Sequence, residues 1–409
     1  MIDTRRIDTR AELINALTEA AELEHGLLCQ YLFAAFSMKR RPDEGVSDTQ
    51  AELIRGWEGV ILEVARQEMA HLGTVCNLLT AVGGAPHFRR PNFPQPAPYY
   101  PAGVEFTLQP FGDAALERFI LFERPEHEDV LLMREIAPDE LAYTRVGDLY
   151  QQIQDAFAAI DEQTLFIGPR EAQDTDNWSQ DLRLSNVVDR ATAIQAIAFI
   201  IEDGEGKSLD RESSHYAKFR RIRERLAAEL AQHSDFAPAR PVVENPLTRP
   251  HRDAPGRGAI ISELHTREVA ELFNVVYETM MLMLMQFYAF SGETIEQRRG
   301  LQASIRQTMS AVIRPLGEVL TQLPAGPEFP GQTAGPGFEF YADLRIPSSP
   351  RSAWIVFHER LAQHAAAGAA LSRRRGAPKR LRFIAENLFV LARNIQDLMK
   401  LQELPHAHA

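Results

Sequence analysis

Between Trp57 and Leu78 an apolar residue recurs every three or four positions, at Trp57, Ile61, Val64, Val75 and Leu78, and the two middle places of this stripe are taken by Glu68 and His71. An α-helix turns once in about 3.6 residues, so this spacing puts all seven on one face. Glu68 and His71 must then lie in the core, where an ionised group costs several kcal/mol unless it is paired or binds a cation (on the order of 3–5 kcal/mol when left alone). The rest of the chain has to supply their partners. A Glu-x-x-His pair by itself says little, because the chain has four of them, at Glu22–His25, Glu68–His71, Glu212–His215 and Glu403–His406. Glu22 falls off its helix's apolar stripe, and the last pair sits in a short polar tail.

Other stripes repeat the pattern. Leu17, Ala20, Glu24, Leu27 and Tyr31 share a line, which turns Glu24 inward in mid-helix. His215 shares its line with Phe219, Ile222 and Leu226, with Glu212 three residues before it. Glu202 closes an apolar run and is followed by Glu205 around a Gly204/Gly206 break. A further helix offers Asp148, Gln151 and Asp155 where a carboxylate is needed. Several buried carboxylates with two histidines would neutralise a pair of divalent ions. In four-helix bundles such sites take a Glu from each of two helices and a Glu-x-x-His from each of the others. Glu24, Glu68 and His71 make one half; Asp148, Glu202, Glu212 and His215 are the candidates for the other. Tyr31 and Tyr150 fit core aromatics, and their closeness to the expected metals makes them the candidate catalytic groups.

Helical periodicity runs through the chain and alternating strand patterns are almost absent, so the class is all-α. Helices are expected over residues 10–39, 48–82, 139–160 and 191–206, with a restart near Ser208 or Asp210. The second is expected to stop at Gly83-Gly84 before Pro86. The proline-rich stretch 87–112 is expected to cross over the first helices, with a short strand at VEFTL. This divides the chain into a four-helix bundle with long crossovers over 1–235, a Pro-rich linker over 236–260, and a second all-helical domain over 261–403. Its helices are expected at 262–291, 293–323, 352–372 and 379–402.

The net charge of −12 argues against nucleic acid or an anionic membrane as partner. The longest apolar run, 273–290, is interrupted by Asn274, Glu278 and Gln286 and reads as a buried helix, not a membrane span. The start lacks the apolar core of a secretory signal, and the two cysteines, Cys29 and Cys76, fall in helical patterns. A cytoplasmic protein with reduced core thiols is expected.

LEHGLLCQYLFAAFSMK (23–39), ILEVARQEMAHLGTVCNLLTAVGGAP (61–86), VGDLYQQI (146–153) and IIEDGEGKSLDRESSHYAKF (200–219) resemble a bacterial ferritin-like family. That family is related to iminophenyl-pyruvate dimer synthase, which couples oxidised tryptophan units in violacein- and rebeccamycin-type pathways. The stretches 271–284 and 315–344 resemble the family's following helical region. The resemblance implies a ferritin-like bundle with Glu24, Glu68, His71, Glu202 and His215 near a metal site; Asp148 stands where a Glu is expected. The dimer synthases are longer and haem-associated, so neither haem nor indole coupling is expected here.

The function expected is a two-metal oxidoreductase, di-iron first and di-manganese second, using dioxygen or peroxide on a small amino acid, amine or imine. The competing expectations are a peroxide-handling protein of manganese-catalase or rubrerythrin type and a non-catalytic ferritin-like binding protein with a degenerate site. A homodimer is among the expected assemblies.

Overall fold

The computed structural model describes residues 6–95, 105–125, 146–175, 184–204, 213–251, 256–289 and 291–400. The chain divides into two compact units, one of residues 1–90 and 94–240, the other of residues 91–93 and 241–409. The fold is all-α; among the described residues the only named strands are two of two residues each.

In the first unit, α1 (Arg10–Ser37) and α2 (Asp48–Ala81) pack along each other. Each starts at a capping box, Thr9 with Glu12 and Ser47 with Gln50, which satisfies backbone N–H groups that the first turn leaves open. From Leu23 to Ser37 almost every side chain of α1 is buried, so this helix runs through the middle of the unit. Gly26 is part of the reason: a Cβ there would lie 2.6 Å from the Phe106 ring, which lies against the helix. α2 ends as its Gly-Gly suggests, with Gly83 at φ 75° and the Gly83 and Gly84 N–H groups donating to Thr80 and Leu79 carbonyls.

Four shorter helices close the bundle: α3 (Asp113–Phe122), α4 (Val146–Ala159), α6 (Arg190–Gly204) and α7 (His215–Gln232), with the single turn α5 (Glu162–Leu165) between α4 and α6. α3 packs on α7, and α4 on both α6 and α1. The expected helices do not include α3, which directly follows the proline-rich crossover. The strand expected at VEFTL is one backbone bridge, Gln95 to Phe106; Val104 lies outside the described residues, as do 139–145. Asn77 explains the asparagine after the Glu-x-x-His. It is fully buried, donates to the carbonyls of Asp174 and Ser185 and accepts from Asp174 N–H at 2.8 Å, which ties the following polar loop to α2. Glu22 pairs with His87 at 2.9 Å, while His25 is buried and kept well below its ordinary pKa by burial and by Arg90. That Glu-x-x-His is structural.

The Pro-rich stretch expected as a linker is extended backbone with partners. In the first unit Lys39 N–H donates to Pro238 O and Arg240 N–H to Ser37 O. In the second, Val243 pairs with Thr333, and β1 (Pro246–Leu247) runs parallel to β2 (Ala259–Ile260). Proline forbids helix here without forbidding such pairing.

The second unit holds α8 (Leu264–Tyr288), α9 (Ile295–Thr308), α10 (Arg314–Leu320), α11 (Pro350–Ser372) and α12 (Arg380–Lys400). α11 packs on α12 and α8. The apolar run 273–290 lies mostly within α8 and is largely buried, and no helix among the described residues is long and apolar enough to cross a membrane. The single helix expected over 293–323 is broken by a π-helical turn, Met309–Ile313, just before Pro315. Proline cannot donate backward and its ring crowds the preceding turn, which widens the helix there. Glu339, 1% exposed, is satisfied by Thr248 N–H and hydroxyl, Asn274 Nδ2 and His251 Nε2, which anchors the long loop before α11.

His364 on α11 is buried, 2.9 Å from the Thr279 hydroxyl, and burial with the Arg360 charge pushes its pKa down to about 4. The unfolded chain takes up this proton below about pH 6.5 and the folded chain only near 4, so stability falls as pH drops through that window. The expected slope from this group is at most about 1.4 kcal/mol per pH unit. Denaturant titrations between pH 7 and 4 should show a shallower acid loss for His364→Gln; parallel curves would contradict it.

Candidate metal centre

Five buried side chains from four helices meet inside the first unit. Glu24 comes from mid-α1, Glu68 and His71 from mid-α2, Glu123 from the C-cap of α3, and His215 from the first residue of α7, where Ser214 caps the helix. None is more than 5% exposed. His71 Nδ1 lies 3.3 Å from Glu68 Oε2 and 3.6 Å from Glu24 Oε2. His215 Nδ1 lies 2.9 Å from Glu68 Oε1 and 3.5 Å from Glu123 Oε2. Glu68 therefore turns one oxygen to each histidine, whose rings stack 5.7 Å apart. Two triads result, Glu24–Glu68–His71 and Glu68–Glu123–His215, and in each the donor atoms lie within 4.8 Å of one another.

A ring of polar groups surrounds the triads. Tyr150 donates its hydroxyl proton to Glu24 Oε1, and Tyr31 donates to Glu123 Oε1. Asp203 Oδ2 stands 3.5 Å from His71 Nε2. Gln67 Oε1 lies 3.2 Å from His215 Nε2 and also accepts from Lys218, which is paired with Glu63.

Burial, helped by the charge of Glu68, pushes the Glu24 carboxyl up to about 8. Burial acts on Glu68 in the same sense, but His71 and His215 outweigh it and hold this carboxyl well below the usual range. His71 is raised well above an ordinary histidine, since Glu68, Asp203 and Glu24 overcome its burial. His215 reaches about 9 against its burial, through Glu123 and Glu68. Burial and Glu123 keep the Tyr31 hydroxyl protonated far above its normal range.

Glu24 Oε2, Glu68 Oε1, His71 Nε2 and His215 Nδ1 are buried without an aligned hydrogen bond, even though Glu68 Oε1 and His215 Nδ1 are 2.9 Å apart. The distance is short and the N–H···O direction is wrong. Buried polar atoms are rarely left so. Lone pairs that converge on a point suit a cation, and a carboxylate–imidazole set suits iron, manganese or zinc. The groups are compatible with a two-metal site.

Of the residues proposed from sequence, Glu24, Glu68, His71 and His215 come together, with Tyr31 and Tyr150 against the outer carboxylate oxygens. Asp148 is half-buried on the first turn of α4 and supplies no donor to either triad. Its expected place is filled by Glu123, because the short α3 reaches the centre where α4 passes it with Tyr150. A signal existed: Leu116, Phe119 and Glu123 keep the same three-four step as the other inward carboxylates. Glu202 is half-buried and out of the triads, and its neighbour Asp203, rotated by about 100° on the helix, is the residue that faces His71. Glu205 and Glu212 lie outside the described residues.

Beside the carboxylates is a small, partly open cleft, lined on its other walls by Leu27, Val146, Ile200 and Ile201. Phe199, 42% exposed, has its ring 5.9 Å from His71. Gly204 also lines the cleft, and a Cβ there would stand 3.1 Å from Glu123 Oε2.

The chain is 30% identical over 366 residues to 2-imino-3-(indol-3-yl)propanoate dimerase of Chromobacterium violaceum, matching 83% of this chain to 35% of that protein. It is 29% identical over 379 residues to dichlorochromopyrrolate synthase of Lentzea aerocolonigenes, matching 81% of this chain to 36% of that protein. The chain thus spans about a third of the length of these relatives. A crystal structure of a ferritin like protein from Caulobacter vibrioides aligns with 74% of this chain and 95% of its own, at a TM-score of 0.47 and 16% identity. The ferritin-like family model matches residues 17–224, which include all five converging side chains, and the chain belongs to the ferritin-like family.

Proposed function

We propose that the chain is a two-metal oxidoreductase, with iron as its metal, acting on a small organic imine or amine with dioxygen or peroxide as oxidant. The observation that carries it is the pair of buried triads sharing Glu68, whose donor atoms lie close without hydrogen-bond alignment. Glu24, Glu68 and His71 would hold one ion, and Glu68, Glu123 and His215 the other. A bound iron pair supplies redox chemistry toward dioxygen or peroxide, which no side chain of the cluster can supply.

The chain's own contribution is positional and acid–base. Tyr150 and Tyr31 fix the outer oxygens of Glu24 and Glu123 by donating to them, and Tyr150 does so at the wall of the cleft. Leu27, Val146, Ile200 and Ile201 give the cleft apolar walls, which suit an apolar part of a substrate. That wall favours an organic substrate over disproportionation of peroxide alone. One relative is named as a dimerase of 2-imino-3-(indol-3-yl)propanoate, which supports an aromatic imino acid as the first substrate to try.

Protein purified without chelators is expected to hold about two metal ions per chain, falling below about half an ion in Glu68→Ala while far-ultraviolet circular dichroism stays unchanged. Normal metal content in that variant would overturn the assignment. Oxygen uptake with an aromatic amino or imino acid should be lost in the same variant; equal uptake by both proteins would sink the oxidoreductase reading.

Glu24 and His215 hold protons at pH 7, with pKa values of about 8 and about 9, and so does His71, raised well above the ordinary histidine range by Glu68, Asp203 and Glu24. Incoming cations must displace these protons, so affinity is expected to rise between pH 7 and 9 and loading at pH 7 to acidify a weakly buffered, dye-containing solution. Uptake with no pH dependence and no proton release would contradict this ligand set.

A further inference from the structure

The two histidines are held in different ways on the side away from the carboxylates. A histidine that gives Nδ1 to a cation keeps its proton on Nε2, and a buried N–H needs an acceptor. For His215 that acceptor is Gln67 Oε1, 3.2 Å from Nε2. The amide cannot face the other way, because the Lys218 ammonium, which only donates, lies 3.1 Å from the same atom. His215 therefore leans on a neutral oxygen already shared with a cation. For His71, the group facing Nε2 is the carboxylate of Asp203, 27% exposed and 3.5 Å away without an aligned hydrogen bond, so it acts on the ring through its charge.

A carboxylate on the outer nitrogen makes an imidazole a stronger donor and adds negative charge near the ion. A neutral amide polarised by an ammonium acts in the opposite sense. We infer that the two metal positions are unequal: the Glu24–Glu68–His71 position, backed by Asp203, fills first and holds its ion more tightly, and the Glu68–Glu123–His215 position, backed by Gln67 and Lys218, fills second and empties first. Asp203 and Gln67 act here as positioning residues, touching the histidines and not the ions, and Lys218 acts on His215 through Gln67. The inference rests on the two-metal reading above. It adds a direction, because the position that exchanges its ion more readily is the one whose carboxylate, Glu123, sits at a helix end.

The test is an anaerobic titration of the full metal-free chain with Co²⁺, followed by visible absorption, with anomalous diffraction from crystals holding less than one cobalt per chain. Two steps separated by about tenfold or more are expected, with the first ion beside His71. Asp203→Asn, which keeps the side chain's shape, should weaken the first step about tenfold and leave the second in place, and Asp203→Glu should restore it. Gln67→Glu should tighten the second step and narrow the gap. Equal steps in the wild type, a first cobalt beside His215, or an unmoved first step in Asp203→Asn would overturn the inference while leaving the two-metal reading standing. A wild-type chain that binds no cobalt, or only one, would overturn both.

Discussion

The first unit depends on a single carboxylate held between two imidazoles. Glu68 is 1% exposed, and a carboxylate in that position would be driven neutral by desolvation if it stood alone. His71 and His215, one on each oxygen, keep it ionised and are themselves kept protonated by it. The mutual charge of these three groups, with Glu24, Glu123 and Asp203 around them, decides which helices must meet and in what register. α1 and α2 have to place Glu24 and Glu68 at the same height. α3 must end, and α7 begin, at that same level.

Removing one member is therefore worse than removing the set. A buried ion pair adds little net stability compared with a well-packed apolar core, but an orphaned partner costs about 3–5 kcal/mol. The arrangement is better understood as specifying one geometry than as strengthening the fold. The stability of the unit comes from the apolar stripes that carry these groups, such as Ile61, Val64, Val75 and Leu78, all fully buried on α2. Each contributes about 1.5–3 kcal/mol by leaving water.

Those stripes are also why so much was legible in the sequence. Helical spacing is local, so an inward carboxylate in a long helix announces itself, as Glu24, Glu68 and His71 do. The class, the main helices and this half of the centre follow from that periodicity alone. The other half is built at helix ends. Glu123 closes a ten-residue helix and His215 opens one. With only a few apolar neighbours on one side, the periodic signal is short, and Asp148 and Glu202 on longer patterns looked like better candidates. Glu202 missed by one residue, the least step that changes a helix face. In the second unit, the break at Met309–Ile313 was hidden in a continuous apolar pattern because periodicity reports which face is buried and not how many residues fill a turn. The buried amides Asn77 and Gln173, which fix a loop through its backbone, have no periodicity at all.

The placement of Glu123 and His215 at helix termini gives the centre two halves of unlike character. A donor in mid-helix is fixed by hydrogen bonds on both sides, and moving it means moving the helix. A donor at a terminus is fixed by its helix on one side only. Lengthening or shortening the segments after α3 or before α7 would reshape the half around His215 while α1 and α2 held the other half constant. The His215 half is the part of the centre that shifts with its helix ends, and the frame of the two long helices is the part that stays constant.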